Sequence, residues 1–207
     1  MTKKISLYSL FLVLPFFLHS QEMSKSYASV NYGRYTFFQS TRVKEWFSTF
    51  STTVPSLMYN YPIGEHLSIN TKIAYLNHTS VVGKKIDNNY KEAGITEYVV
   101  LPRLDYEFFA TMYISLSARL GAYVGYTNNY YAGSYYNPYD YSTNAYRSEN
   151  KYFSTGVSGG LGCQLTIPST NIIILLNYDI HYARPGLKSM LLERDGHILD
   201  LGLGIIL

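Results

Sequence analysis

Eight segments of this chain alternate apolar with polar residues, and turn-forming residues bound each of them. A period of two is typical of a β-strand with two different faces. The segments predict strands at 26–38, 52–61, 67–76, 95–107, 112–126, 152–165, 171–183 and 197–207. Their connections alternate without exception between about four or five residues and about 13 or more. Because antiparallel neighbours place alternate connections at opposite ends, one end of the predicted sheet carries only tight turns.

This separation of short and long connections is typical of outer-membrane barrels, whose strands place apolar residues outside and polar residues inside. The strand 112–126 shows the alternation most clearly, because Leu116 and Leu120 lie on one face and Arg119 on the other. The sequence therefore predicts an all-β fold, an eight-stranded antiparallel up-and-down transmembrane β-barrel with short periplasmic turns and long external loops. The alternative is a soluble lipocalin-like carrier, in which the apolar face would point inward.

Tyrosine is unusually frequent, with 23 tyrosines against one tryptophan in 207 residues. Its apolar ring and polar hydroxyl suit membrane interfaces and recognition loops. On the apolar face, aromatic residues fall near the strand ends and predict two belts with mostly aliphatic residues between them, as in a membrane-spanning wall. The belt at the long-loop end consists of Tyr75, Tyr98, Tyr126, Phe153 and Tyr182, and the belt at the short-turn end of Tyr59, Tyr61, Tyr106 and Phe108.

The first 20 residues have the pattern of a secretory signal peptide. Two lysines precede an apolar run that a proline interrupts, so the run is too short for a membrane-spanning helix. We expect residues 1–20 to be cleaved on export and residues 21–207 to form one outer-membrane barrel domain. Cleavage removes both lysines and lowers the formal net charge from +3 to +1, which gives no electrostatic reason to expect nucleic acid as a partner. Cys163 is the only cysteine, so no internal disulfide is expected.

Three stretches of the chain resemble a known family. They are EYVVLPRLDYEF at 97–108, ARLGAYVGY at 118–126 and LDLGLGIIL at 199–207. They are similar to strands of the eight-stranded outer-membrane β-barrel proteins of Bacteroidota, often grouped as the porin family, and the resemblance extends over roughly residues 26–207. It implies an outer-membrane barrel, does not establish an open pore, and supplies no catalytic residues.

The polar face of the predicted strands collects charged residues of both signs. An eight-stranded barrel is only wide enough for its own side chains, so we expect these charges to neutralise one another in a closed lumen. The alternative is a narrow path for ions or small solutes along the same groups. The predicted lumen charge network consists of Lys72, Glu97, Arg103, Asp105, Glu107, Arg119, Asp179, His181 and Asp200.

The predicted third external loop is rich in tyrosine among Asn, Ser and Gly. This mixture combines rigid aromatic contact area with adaptable hydrogen bonding, as binding loops do. We expect a monomer surrounded by outer-membrane lipids that binds an external ligand or protein here, whereas the alternative is that part of the segment extends the hairpin above the membrane. The candidate binding residues are Tyr130, Tyr131, Tyr135, Tyr136, Tyr139, Tyr141 and Tyr146.

Enzymatic function has little support in the sequence. A lipid-modifying hydrolase needs a nucleophile beside a histidine base, and His181 is the only histidine well inside a predicted strand, on the lumen side. No metal-ligand cluster or nucleotide motif is recognisable, so we expect no catalytic residues, metal or cofactor. One local irregularity is predicted at Pro102, because proline cannot donate a hydrogen bond and a closed barrel has no free edge for it.

Overall fold

The chain folds into a closed ring of eight antiparallel strands. The computed structural model describes residues 25–37, 51–84, 89–137, 139, 142–185 and 195–207. Within these ranges no helix is long and apolar enough to cross a membrane. The predicted signal peptide lies outside the described residues. The strands are β1 (Tyr27–Phe37), β2 (Ser51–Pro62), β3 (Leu67–Lys84), β4 (Asn89–Ala110), β5 (Ile114–Asn137), β6 (Ser142–Thr166), β7 (Ile172–Pro185) and β8 (Gly196–Ile206).

Each strand pairs with its neighbours in sequence, and β8 pairs with β1 to close the barrel. A final backbone bond from the Leu207 amide to the Ser26 carbonyl ends this last ladder. The connections 63–66, 111–113 and 167–171 all lie at the end of the barrel where the described termini meet, which we call the turn end. The opposite end is called the hairpin end. The predicted eight-stranded antiparallel barrel is confirmed.

The two faces of the wall have the polarity that the alternation predicts. In β8, Asp200 and the glycines beside it point into the lumen, whereas Leu199, Leu201 and Leu203 are exposed on the outside. Exposed large apolar side chains cover the outer wall on every strand. The lipocalin-like alternative is therefore wrong in this respect, because it requires the apolar face to line the interior.

The middle strands are much longer than predicted. Strands β3 to β6 have 18, 22, 24 and 25 residues, whereas the other four have 11 to 14. The predicted second and third external loops are thus largely strand, since β3 and β4 pair as far as Lys84 and Asn89, and β5 and β6 as far as Asn137 and Ser142. Tyrosine and threonine favour extended backbone, which explains why these polar segments continue the ladders.

A proline stands where the ladder between β2 and β3 ends. That ladder stops at Ser56 and Ala74, next to Pro55, which has no amide hydrogen to continue it. The ladder between β6 and β7 extends to Ser154 and Pro185, where the described residues of β7 end. Among the described residues, β3 to β6 continue beyond these points as a four-stranded sheet, formed by residues 77–84, 89–96, 127–137 and 142–152. We call it the raised sheet.

Pro102 interrupts the wall as predicted. Its pairing with Thr71 of β3 is regular, but the ladder to β5 passes from Val100 directly to Arg103, without partners for Leu101 and Pro102. The register is the same on both sides of this gap, so the irregularity consists of two missing pairs rather than a bulge. A separate register shift occurs between Glu107 and Phe109, near the turn end.

Candidate functional site

Charged side chains meet in the middle of the lumen. The ammonium group of Lys72 contacts Asp200 and lies 2.8 Å from Oδ2 of Asp179, and the Arg103 guanidinium contacts the other oxygen of Asp179. All four side chains are fully buried. They come from β3, β4, β7 and β8, so this cluster ties opposite walls of the barrel together.

A second pair joins this cluster through an amide. Arg119 Nε lies 2.7 Å from Asp105 Oδ2, and Arg119 Nη1 donates to the side-chain oxygen of Asn177 at 2.5 Å. Asn177 in turn donates to Asp200 at 2.7 Å, while Arg103 donates to Asn70 at 2.7 Å. The group contains three cations and three carboxylates, which balance formally. We call it the charge layer, and its charged members are Lys72, Arg103, Asp105, Arg119, Asp179 and Asp200.

Glycines on β6 make room for the charge layer. A Cβ atom added to Gly162 would collide with the Arg119 guanidinium, and one added to Gly160 would collide with a carboxylate oxygen of Asp179. The two inward glycines Gly160 and Gly162 therefore have a steric reason. Sequence reasoning missed Asn70 and Asn177, although both share the inward face with the charged residues.

The lumen is not polar throughout, which corrects the prediction. Apolar clusters lie on both sides of the charge layer and enclose Lys72, Asp179 and Asp200, whereas a small cavity at the turn end reaches Asp105 and Arg119. Because buried charges depend on their partners when water is absent, the enclosed ion pairs must stay matched. The cluster toward the turn end contains Tyr27, Met58, Ile173 and Leu175, and the larger one toward the hairpin end contains Tyr35, Val54, Leu76, Ile95, Val99, Leu101, Tyr123 and Ile198 with three alanines.

His181 lies within the larger apolar cluster. Its ring stacks between those of Tyr35 and Tyr123, with centroid separations of 5.0 and 4.9 Å, and its Nε2 is 2.8 Å from the Tyr35 hydroxyl. The Tyr123 hydroxyl donates to Glu97 Oε1 at 2.8 Å, and Thr127 donates to the same oxygen at 2.9 Å. His181 is fully buried, so no lipid substrate reaches its ring.

The nine residues predicted as one lumen network fall into three groups. Six form the charge layer. Glu97 and His181 both contact Tyr123, which lies on the hairpin side of the charge layer. Glu107 lies at the turn end, where it is partly exposed and faces Ser115. Within the described part of the chain, no three His, Cys, Asp or Glu side chains are grouped as metal ligands would be.

The aromatic residues of the outer wall form aligned rows. Tyr75, Tyr98, Tyr126 and Phe153 pair in register across β3 to β6. Their rings contact each other pairwise, with centroids 5.2 Å apart for Tyr75 and Tyr98 and 5.1 Å apart for Tyr126 and Phe153. At the turn end, Tyr59, Tyr61, Tyr106 and Phe108 are exposed on the same outer face. Both predicted belts therefore point outward.

The tyrosines predicted as a binding loop lie mostly on the two long strands. Tyr130, Tyr131, Tyr135 and Tyr136 belong to β5 and Tyr146 to β6, and only Tyr139, at 94% exposure, lies in the turn between them. Tyr141 is outside the described residues. The described part of the segment thus extends the hairpin, which is the alternative interpretation, and Tyr130, Tyr131 and Tyr146 lie on a sheet rather than in a loop.

The outward face of the raised sheet carries a small polar cluster. Tyr130 donates to Glu92 at 2.7 Å, and the Arg147 guanidinium lies 5.5 Å from the centre of its ring. Asn128 donates to Glu149 at 3.1 Å. Desolvation, followed by the hydrogen bond to Glu92, raises the pKa of Tyr130 above its ordinary value, so the hydroxyl stays protonated and donates.

The raised sheet has two outer strands, β3 and β6. Among the described residues, β3 beyond Tyr75 forms a ladder with β4, although the Thr52 hydroxyl of β2 donates to the Asn77 carbonyl at 2.7 Å, and β6 before Ser154 forms a ladder with β5. On β6 the side chains from Thr143 to Lys151 are all exposed. An unpaired edge presents a row of backbone donors and acceptors, which is the surface used when an extended peptide adds to a sheet.

No family model matches the sequence, and no curated protein matches it. The fold is similar to solved outer-membrane structures. These include Ail of Yersinia pestis (12% identity, TM-score 0.47, 88% of this chain and 97% of Ail). They also include Neisserial surface protein A (12%, 0.42, 89% and 98%) and the N-terminal β-barrel domain of Pseudomonas aeruginosa OprF (14%, 0.41, 89% and 98%). At these values the similarities carry no information about the role of this chain. Membership of the Bacteroidota porin family stays a prediction.

Proposed function

We propose that this protein is an integral outer-membrane barrel without enzymatic activity, which closes its lumen with side chains and binds an extended partner segment outside the cell through its raised sheet. The observation that carries the proposal is the reversed polarity of the ring. Aliphatic side chains between two aromatic belts cover its outer wall, whereas ion pairs fill its centre. A water-soluble protein would bury such an aliphatic surface and keep most of its charged side chains on the outside.

The predicted signal peptide and the resemblance to Bacteroidota barrels support export to the outer membrane. A membrane strand needs about 9–11 residues to cross the bilayer, and the four short strands have 11 to 14. The additional residues of β3 to β6 then project from the surface at the hairpin end. Under this proposal the turn end faces the periplasm.

A structural and binding role fits the lumen better than a pore. The charge layer crosses the lumen from β3 and β4 to β7 and β8, and apolar clusters lie on both sides of it. We therefore expect no discrete conductance steps when the purified chain is inserted into planar bilayers. Regular single-channel steps would support the narrow-porin alternative instead.

Membrane integration is tested by fractionation of the producing cells and by gel electrophoresis with and without heating. We expect the protein in the outer-membrane fraction and a faster-migrating form in the unheated sample, because a closed barrel stays folded in detergent. A protein that is recovered soluble after export, and that needs no detergent to remain monodisperse, would refute the proposal.

Strand addition outside the cell is tested by hydrogen exchange on residues 142–153. In vesicles of purified protein and extracted outer-membrane lipids, these edge amides should exchange faster than those of 154–166, which pair on both sides. In native outer membranes the edge amides should become protected, because a partner strand is present. Equal exchange at 142–153 in both preparations would contradict the binding role while leaving the membrane placement intact.

A further inference from the structure

A polar cavity of about 290 Å³ opens at the turn end of the barrel. It lies between the turn that joins β4 to β5 and the turn that joins β6 to β7, beside the end of β8. Its volume is close to the lower limit of about 300 Å³ for ligand pockets, so it suits a small molecule. Its polar side chains include Lys25, Glu107, Thr111, Ser115, Gln164 and Thr166.

Both turns that shape the cavity are held in place by threonines. Thr111 donates to the Ile114 carbonyl at 3.1 Å and accepts from its amide at 3.0 Å. Thr170 donates to the Ile167 carbonyl at 2.9 Å and accepts from the Ile172 amide at 3.1 Å. The cavity is therefore preformed rather than dependent on ligand for its shape.

The cavity rim also contains a strained residue. Ser169 lines the cavity and has a φ of 61°. This value lies in the left-handed region, which residues other than glycine rarely adopt. Such backbone strain concentrates at functional sites, where the surrounding structure holds it.

A smaller cavity of about 20 Å³ continues toward the charge layer. It shares Glu107, Ser115 and Gln164 with the outer cavity and reaches Asp105. Arg119 binds one oxygen of Asp105, but the other, Oδ1, is buried and accepts no hydrogen bond from any described residue. A buried carboxylate oxygen in this state is an acceptor that a donor entering the cavity would satisfy.

The charges are arranged by depth. Glu107 stands where the two cavities join, and Asp105 lies farther inside beside Arg119, whose charge it balances, whereas Lys25 lines only the outer cavity. We propose that this cavity binds a small zwitterion of the amino-acid class, free or at the end of a short peptide, with its ammonium group toward Glu107 and Asp105 and its carboxylate toward Lys25. The hydroxyl and amide groups between them supply the orienting hydrogen bonds.

The test uses calorimetric titration of the refolded full chain in detergent at low salt. The probes are L-alanine, L-lysine and L-alanyl-L-lysine, with ethylamine and propionate as ligands that carry only one of the two charges. We expect saturable binding of at least one zwitterion and at least tenfold weaker binding of both single-charge ligands. Absence of saturation with every zwitterion would overturn the proposal. Ethylamine that binds as tightly as the zwitterions would also overturn it, because the site would then recognise only a cation.

Variants locate the site. Glu107→Gln should weaken zwitterion binding at least tenfold, and Lys25→Gln should weaken it by a smaller factor. Glu65→Gln is the matched control, because Glu65 lies in another turn at the same end and does not line the cavity. Gln164→Leu blocks the junction of the two cavities without removing a charge. It therefore tests zwitterion binding even if Glu107→Gln does not refold. Unchanged affinity in both Glu107→Gln and Gln164→Leu would overturn the proposal.

Discussion

The charge layer and the raised sheet are built from the same strands, yet their side chains are constrained in opposite ways. In β5, Arg119 is enclosed and held by Asp105 and Asn177, whereas Tyr130, eleven residues farther along the strand, is partly exposed and touches only groups on its own sheet. The two side chains point to opposite faces of β5. An inward residue of the ring must find a partner across the lumen, whereas Tyr130 points outward and bonds within its own sheet.

The largest expected effect comes from removing the central cation of the charge layer. Lys72→Met leaves Asp200 without its ion pair inside a closed lumen, and loss of one partner of a buried pair costs about 3–5 kcal/mol of unfolding free energy. Urea unfolding of the refolded barrel, followed by gel mobility, measures it. Arg184→Gln is the control, because it removes an ion pair whose arginine is 57% exposed, and about 0–1 kcal/mol is expected. Equal losses in the two variants would contradict the contrast.

The second prediction concerns the outer wall of the ring. Leu120 is 71% exposed in the middle of the aliphatic band, and Leu120→Arg in lipid vesicles should cost about 2–4 kcal/mol because the charge then faces hydrocarbon. Tyr139→Arg, in the turn of the raised sheet, should leave stability unchanged. If Leu120→Arg is also neutral in vesicles, the outer wall does not contact lipid.

A smaller loss is expected in the apolar half of the lumen. Tyr123→Phe keeps the ring stacked on His181 but removes a donor to the buried Glu97 carboxylate, which should cost about 1–3 kcal/mol. Tyr98→Phe, on the outer face, should change stability by no more than about 0.5 kcal/mol. Thermal unfolding of both variants under identical conditions compares them, and a neutral Tyr123→Phe would show that Glu97 does not need this bond.

The smallest expected effect lies at the part of β6 that, among the described residues, forms a ladder with β5 only. Successive residues of a strand direct their amides alternately to its two edges. Of Ser148 and Glu149, one therefore directs its amide toward β5 and the other away from β5, and proline at the second position removes no bond to β5. That variant should fold with a change of about 0.5 kcal/mol, whereas Ser158→Pro, inside the ring, should prevent closure. Gel mobility of the three refolded variants decides it. Failure of both edge variants would mean that this edge is paired.

The ring could be predicted because two independent patterns agree there. Alternation gave the strands and their inward faces, and the alternating connection lengths gave their order. The raised sheet was not predicted because its inward face mixes buried polar residues such as Thr127 and Asn129 with apolar ones, and its outward face carries polar residues such as Glu149. No apolar alternation therefore marks its strands. The apolar half of the lumen was missed for a different reason. At Val99 and Leu101 both faces of β4 are apolar, and the period alone does not show that the inward ones pack together.

The partners within the charge layer lie beyond any local pattern. Lys72 meets Asp179 and Asp200 across the lumen, at sequence separations of 107 and 128 residues. Such contacts depend on the barrel diameter and on the relative heights of non-adjacent strands, neither of which the period of a single strand contains. Composition predicts that charges of both signs will balance, but not which ones meet.

These long separations have a consequence for assembly order. Both carboxylates that neutralise Lys72, and the one that neutralises Arg103, belong to the last two strands of the chain. An intermediate that contains only β1 to β6 holds these cations with no carboxylate from β7 or β8. Completion of the ring and neutralisation of its centre are therefore the same event, so the charge layer distinguishes a finished barrel from an unfinished one.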